Sequence, residues 1–209
     1  MNTLLFARLL AAVAAVWAIV ALTWQACRAT RNARPDFAQR AGSPARGVLY
    51  AFTGAMTPAH KESIRLYPLE FALGLILHVP VFIGMAATLV MIADPERGAA
   101  LVAATRVATL VGLAAGVCLL IRRLQRADLR HISTPDDYAA IVATSGLLLS
   151  AGLLPMTTAG RAALLTYAAL LFMYVPLGKL RHVVFFFLAR AEYGRRLGYR
   201  GVYPPVRAE

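Results

Sequence analysis

Four histidines occur in the 209-residue chain, and two of them lie where an ionisable side chain is expensive. His78 stands about eleven residues into the apolar stretch Tyr67–Ala93, which at 1.5 Å per residue puts it roughly 16 Å from one end. His182 lies about seven residues before Leu188–Arg190, roughly 10 Å from the corresponding end of Ala162–Leu188. Read as helices of opposite direction, the two stretches carry their imidazoles at a shared depth. Two imidazoles from two helices at one depth are the ligand set of a six-coordinate haem iron, one above and one below the porphyrin plane. His60 and His131 fall in polar connecting segments and need no such account.

Small neighbours accompany both ligands. Gly74 precedes His78 by four residues and Gly178 precedes His182 by four, so each imidazole has a glycine one helical turn away on its own face. Glycine leaves a gap that a porphyrin edge can use, and the same spacing equally serves close helix packing. Pro80 and Pro176 each free a carbonyl one turn earlier, at Ile76 and Phe172, and are expected to bend their helices. Haem propionates call for cations, and Lys179, Arg181, Arg122 and Arg123 stand at the right end. Each of these also serves as an ordinary helix-end anchor.

The elements that must position these groups follow from composition. Apolar residues make up 59% of the chain while the net charge is +12, so the charge has to sit outside long apolar runs. Five stretches approach the roughly 20 residues that cross a hydrocarbon core: Leu4–Trp24, Tyr67–Ala93, Ala99–Ile121, Tyr138–Pro155 and Ala162–Leu188. None shows the alternation of a membrane barrel strand. The expectation is an all-α, single-domain, five-helix integral membrane bundle over residues 1–209. The first stretch resembles a signal peptide in outline, with Arg8 before it and Cys27 after. Its length and the poor cleavage site Trp24-Gln25-Ala26 favour a helix that is kept.

Basic residues set an orientation. Eighteen Lys and Arg fall in the segment between the first two stretches, after the third and at the C-terminal end, Arg34 and Arg207 among them. Only Arg8, Arg97, Arg106 and Arg161 fall on the other side. This places the C-terminus in the cytoplasm and the N-terminus outside. It also explains the basicity through topology and anionic lipid, without nucleic acid.

The longest polar segment, Arg28–Arg65, is too poor in apolar residues to fold alone. Ser133-Thr134-Pro135-Asp136-Asp137 reads as a helix cap, with the two acids at the positive end of the helix dipole and partner docking as the sharper alternative. The outer loops Asp94–Gly98 and Thr157–Arg161 are short. Cys27 and Cys118 have no CxxC partner and read as small apolar residues. No nucleophilic triad, phosphate loop or HExxH set is present, so no catalytic constellation is expected.

Leu77-His78-Val79-Pro80-Val81-Phe82 and Pro176-Leu177-Gly178-Lys179-Leu180-Arg181-His182-Val183 resemble the five-helix cytochrome b subunit of membrane-bound nitrate reductase, its gamma subunit. Arg130-His131-Ile132-Ser133-Thr134-Pro135-Asp136-Asp137-Tyr138 is similar to the heterodisulfide-reductase branch of that family, whose relatives also include the membrane subunit of the sulfite-reduction-associated redox complex. The resemblance implies two haems stacked across a bacterial or archaeal cytoplasmic membrane, with His78 and His182 matching the pair nearer the cytoplasm. The outer pair falls near Thr88 and Leu164, which cannot ligate as histidine does. One haem b is therefore expected, unless Met85 or Met156 substitutes, and no quinone residues are named.

The resemblance also implies a non-catalytic subunit that passes electrons between a quinone pool and cytoplasmic iron–sulfur or catalytic subunits at the basic inner face. A cofactor-free membrane anchor or assembly subunit is the alternative. A small transporter ranks last, because the first, third and fourth stretches carry almost no polar residues at their centres.

Overall fold

The computed structural model describes residues 2–31, 37–154 and 156–205, with the backbone alone at Ser63; Arg34, Pro155 and Arg207 lie outside them. Among the described residues all regular structure is helical. In chain order the helices are α1 (Thr3–Arg31), α2 (Pro44–Phe52), α3 (Glu62–Leu66), α4 (Pro68–Ala93) and α5 (Pro95–Ala104). They continue with α6 (Arg106–Gln125), α7 (Ala127–His131), α8 (Pro135–Leu153), α9 (Thr158–Tyr174) and α10 (His182–Tyr199). Among these, α1, α4 and α6 are long and apolar enough to cross a membrane, and α9 with Lys179–Tyr199 adds a fourth if that interrupted pair is one span.

Two expected spans are interrupted, each for a local reason. The sequence places the third at Ala99–Ile121 after a loop at Asp94–Gly98. Asp94 instead caps a new helix at once: its Oδ1 accepts the N–H groups of Glu96 and Arg97 at 3.1 and 3.0 Å, and Pro95 fills the first position. That helix stops at Thr105, whose hydroxyl donates back to the Leu101 carbonyl (2.8 Å), and α6 begins at Arg106. The sequence places the fifth at Ala162–Leu188 with a bend at Pro176. The helix ends at Tyr174, because proline has no N–H for the next turn, and Leu177 and Gly178 both donate to the Tyr174 carbonyl (2.9 and 3.0 Å).

The chain divides into two compact units, one of Met1–Ala21 with Leu69–Leu180 and the other of Leu22–Pro68 with Arg181–Glu209. In the first, polar contacts tie helix ends together in two sets. Arg8 donates to the carbonyls of Ile92 and Ala93, Arg106 to that of Leu154, and Arg161 pairs with Glu96. These contacts gather the starts of α1, α5, α6 and α9 with the ends of α4 and α8. The opposite ends meet through Glu70, Asp136 and Asp137, so successive long helices run antiparallel.

Between the two ends the packing is apolar. Leu77 and Val81 of α4, Ala115 of α6 and Leu148 of α8 form one buried cluster. Gly112 lets α6 approach closely, since a Cβ there would meet the Pro80 ring at 2.8 Å and Leu148 at 3.1 Å.

In the second unit α2 packs against α10 through glycine. A Cβ on Gly47 would overlap the Gly194 carbonyl and the Gly198 backbone, so the two helices touch main chain to main chain. Ser43 caps α2, and α10 ends at Tyr199 with Arg200 as its C-cap, followed by Gly201 in the left-handed conformation (φ 73°). Within the polar segment, α2 thus gains from the C-terminal helix α10 the packing surface it lacks. Gly47→Ala is expected to cost this pair about 1–3 kcal/mol by overpacking. Hydrogen exchange of the full chain should show faster exchange in α2 and α10 with α4, α6 and α8 unchanged.

Candidate functional site

His78 is placed by the helical period of α4. Leu77, Pro80, Val81, Gly84, Ala87, Thr88 and Met91 are its buried face, which turns His78 and Phe82 to the exposed side. The imidazole Nδ1–H donates to the Gly74 carbonyl at 2.6 Å. A carbonyl can only accept, so Nδ1 carries a proton; in the neutral ring this is the tautomer whose Nε2 a metal takes. Phe82 lies one turn on, its ring 6.3 Å from the imidazole and tilted by 44°. Around Gly74 the space is open: a Cβ there would meet nothing within 4 Å. A helix face with an imidazole at its centre and a missing side chain one turn away has room for a flat ligand edge.

His182 stands differently. It is exposed and opens α10, directly after the 3-10 turn Lys179–Arg181. The turn after Pro176 is not α-helical, so Gly178 does not lie one regular turn below His182. Gly178 is buried, and a Cβ on it would overlap the Tyr174 ring, so this glycine is used for packing. His78 belongs to the first compact unit and His182 to the second.

The cations expected near propionates are largely engaged. Arg122 pairs with Glu70, which Arg126 also reaches at 2.9 Å. Lys179 pairs with Asp137, and Arg123 approaches the same carboxylate at 3.6 Å while donating to Ser133 Oγ at 2.6 Å. Arg181 is exposed, and its guanidinium has no carboxylate partner among the described residues. Of the four, it is the cation left for another anion.

Asp137 is the group whose importance the sequence understates. It completes the cap of α8, accepting both the N–H and the hydroxyl of Thr134 at 2.9 Å, and Pro135 occupies the first turn as expected. It is also buried. Burial raises its pKa, but the Lys179 ammonium and the two Thr134 donors outweigh that and bring it down to about 2. Asp136 accepts from the Tyr174 hydroxyl, joining α8 to the end of α9. The sequence signal for this staple was the pair Asp136-Asp137 placed at the same end as Lys179; Glu70 could have been found from Arg122 and Arg126, which lie one turn apart on α6 and its C-cap.

Thr88 and Leu164, where an outer ligand pair would fall, are both fully buried, and the Thr88 hydroxyl donates to the Gly84 carbonyl at 2.7 Å. Met85 packs against the Leu77–Leu148 cluster. Among the described residues no three His, Cys, Asp or Glu side chains gather into a metal-ligand group. Cys27 and Cys118 are free thiols.

Comparison with protein-family models, curated proteins and solved structures finds no match.

A depressed carboxyl stabilises the fold fully above its ordinary pKa of 3.8, and that contribution drains away as pH falls through about 2. Asp137→Asn should cost about 1–3 kcal/mol at neutral pH, because Lys179 and Arg123 lose their counter-charge. Thermal unfolding in detergent from pH 7 down to pH 2 should show the acid limb flattened in the variant.

Proposed function

We propose that the chain is a haem b-binding membrane subunit of a redox complex, with His78 and His182 as axial ligands. It would pass electrons between a quinone pool and cytoplasmic iron–sulfur or catalytic subunits. The observation that carries this is His78 itself. Its Nδ1–H donates to the Gly74 carbonyl, which leaves Nε2 as the atom the neutral ring would offer to a metal, and it faces the exposed side beside the open space at Gly74. Bound haem iron supplies one-electron chemistry, and the chain supplies ligands, burial and charge that set its potential. His182 is its partner by sequence position and by the resemblance of its motif to the gamma subunit of nitrate reductase. Arg181, one residue away, is the propionate partner in this reading. The filled positions at Thr88 and Leu164 favour one haem over two.

The same proposal takes α1, α4, α6, α8 and α9 as five crossings, with the N-terminus outside and the C-terminus in the cytoplasm of a prokaryotic inner membrane. Their antiparallel order in the first unit supports this. At 1.5 Å per residue α8 and α9 are about 28 and 26 Å long, close to the hydrocarbon thickness. The charge bias supports the direction.

A cofactor-free anchor remains the second reading, favoured by one observation: Arg122, Arg123 and Lys179 serve as partners for carboxylates.

Protein produced with ample haem should show a low-spin bis-imidazole spectrum in reduced-minus-oxidised difference. His78→Ala and His182→Ala should each abolish it while the chain still assembles in the membrane; a folded, colourless wild type would sink the proposal. For topology, a fluorescent protein fused at the C-terminus should light up, and an exported phosphatase at the same point should stay inactive.

A further inference from the structure

The second compact unit holds eleven Lys and Arg against two acids among its described residues, and Glu192 is already held by Arg195 and Arg196. On this strongly cationic body sits an apolar edge. Phe52 of α2 stacks on Phe187 of α10 with ring centroids 6.3 Å apart, and Phe186 meets Phe187 edge to face at 5.3 Å. Leu49, one turn before Phe52, is 66% exposed and Phe187 is 53% exposed. Arg46 lies one turn before Leu49 on the same exposed stripe of α2. The glycine contacts at Gly47, Gly194 and Gly198 hold α10 against α2, so the edge is a fixed feature of the pair.

The unit also contains the last turns of α1, where the Arg28 guanidinium lies 5.5 Å over the Trp24 ring, and Pro68, the first residue of α4. Tryptophan paired with arginine at the end of an apolar helix marks the headgroup level. The last turns of α1, themselves part of this unit, thus belong at the membrane surface, where anionic headgroups match the unit's charge.

We propose that the α2–α10 pair lies in the interface of an anionic leaflet, with Leu49, Phe52 and Phe187 in the acyl boundary and Arg46 and Arg28 at the phosphates. On this view α10 is an interfacial helix and not the second half of a span. The inference uses only the membrane part of the proposed function; because His182 opens α10, it places that histidine at the leaflet boundary, and its test is read separately from that of haem binding.

The test uses the full chain with Cys27→Ser and Cys118→Ser, in nanodiscs, carrying a nitroxide at Leu49→Cys or Phe187→Cys. Glu62→Cys, an exposed acidic position on α3, is the aqueous control. Collision with oxygen relative to a water-soluble nickel chelate reports depth. In phosphatidylglycerol-rich discs the two test positions should favour oxygen several-fold over the control. That ratio should fall at least about twofold in pure phosphatidylcholine or at high salt, where screening shortens the reach of the charges. In the unlabelled protein, α2 should exchange hydrogen more slowly in the anionic discs.

Labels that are open to nickel in anionic discs would overturn the proposal. So would protection seen only when a co-purifying protein subunit is present, which would make the edge a protein-docking surface. A Phe187 label as deep as one at the Ala115 level of α6 would make α10 part of a span and overturn it as well.

Discussion

Glu70 and Asp137 are carboxylates at one end of an apolar bundle, and each is held between two cations. An unpaired charge in such surroundings is costly, so pairing decides which helix ends can meet. Glu70 ties α4 to the C-terminal end of α6, and Asp137 ties α8 to the chain beyond α9 and to α6 through Arg123. At the other end guanidinium groups reach helix-terminal carbonyls, as Arg8 does at Ile92 and Ala93 and Arg106 does at Leu154. Those carbonyls have no partner within their own helix, so each contact satisfies two groups at once. The apolar middle needs no specific polar pairing and is free to pack by shape.

This arrangement sets the rotation of α4. With Glu70 fixed against α6 and Leu77 and Val81 in the core, the period of 3.6 residues turns His78 away from the core and toward the open side. The Gly74 carbonyl then holds the imidazole in one tautomer. An exposed ring with its Nδ1–H on the Gly74 carbonyl and open space one turn away is the arrangement on which the proposed ligand role rests.

The two compact units solve different packing problems. The first buries apolar side chains between long helices and spends its polar groups at the ends. The second has few apolar residues to bury and joins α2 to α10 by removing side chains at Gly47, Gly194 and Gly198. Its remaining aromatic groups stay at the surface beside arginine. A small cationic unit with an apolar edge suits the boundary between water and lipid.

Long apolar runs separated by basic segments suffice to specify a helical chain, because a helix is the only open structure that satisfies its own backbone in lipid. The sequence therefore determined α4 nearly to its ends, the apolar body of α1, a cap at Ser133-Thr134 before α8 and the presence of His78 within an apolar helix. It did not determine where helices stop when the stop is local, as at Asp94-Pro95, Thr105 and Pro176, because averaged hydropathy is blind to one missing N–H or one capping carboxylate. It equally could not separate Gly74 from Gly178, which share a spacing of four from a histidine. Only the tertiary structure decided that one faces open space and the other is packed on Tyr174. It also decided that Arg122 neutralises the half-buried Glu70 and that Arg123 and Lys179 neutralise the buried Asp137, since partners up to 52 residues apart are chosen by how helices pack and leave no mark on the spacing.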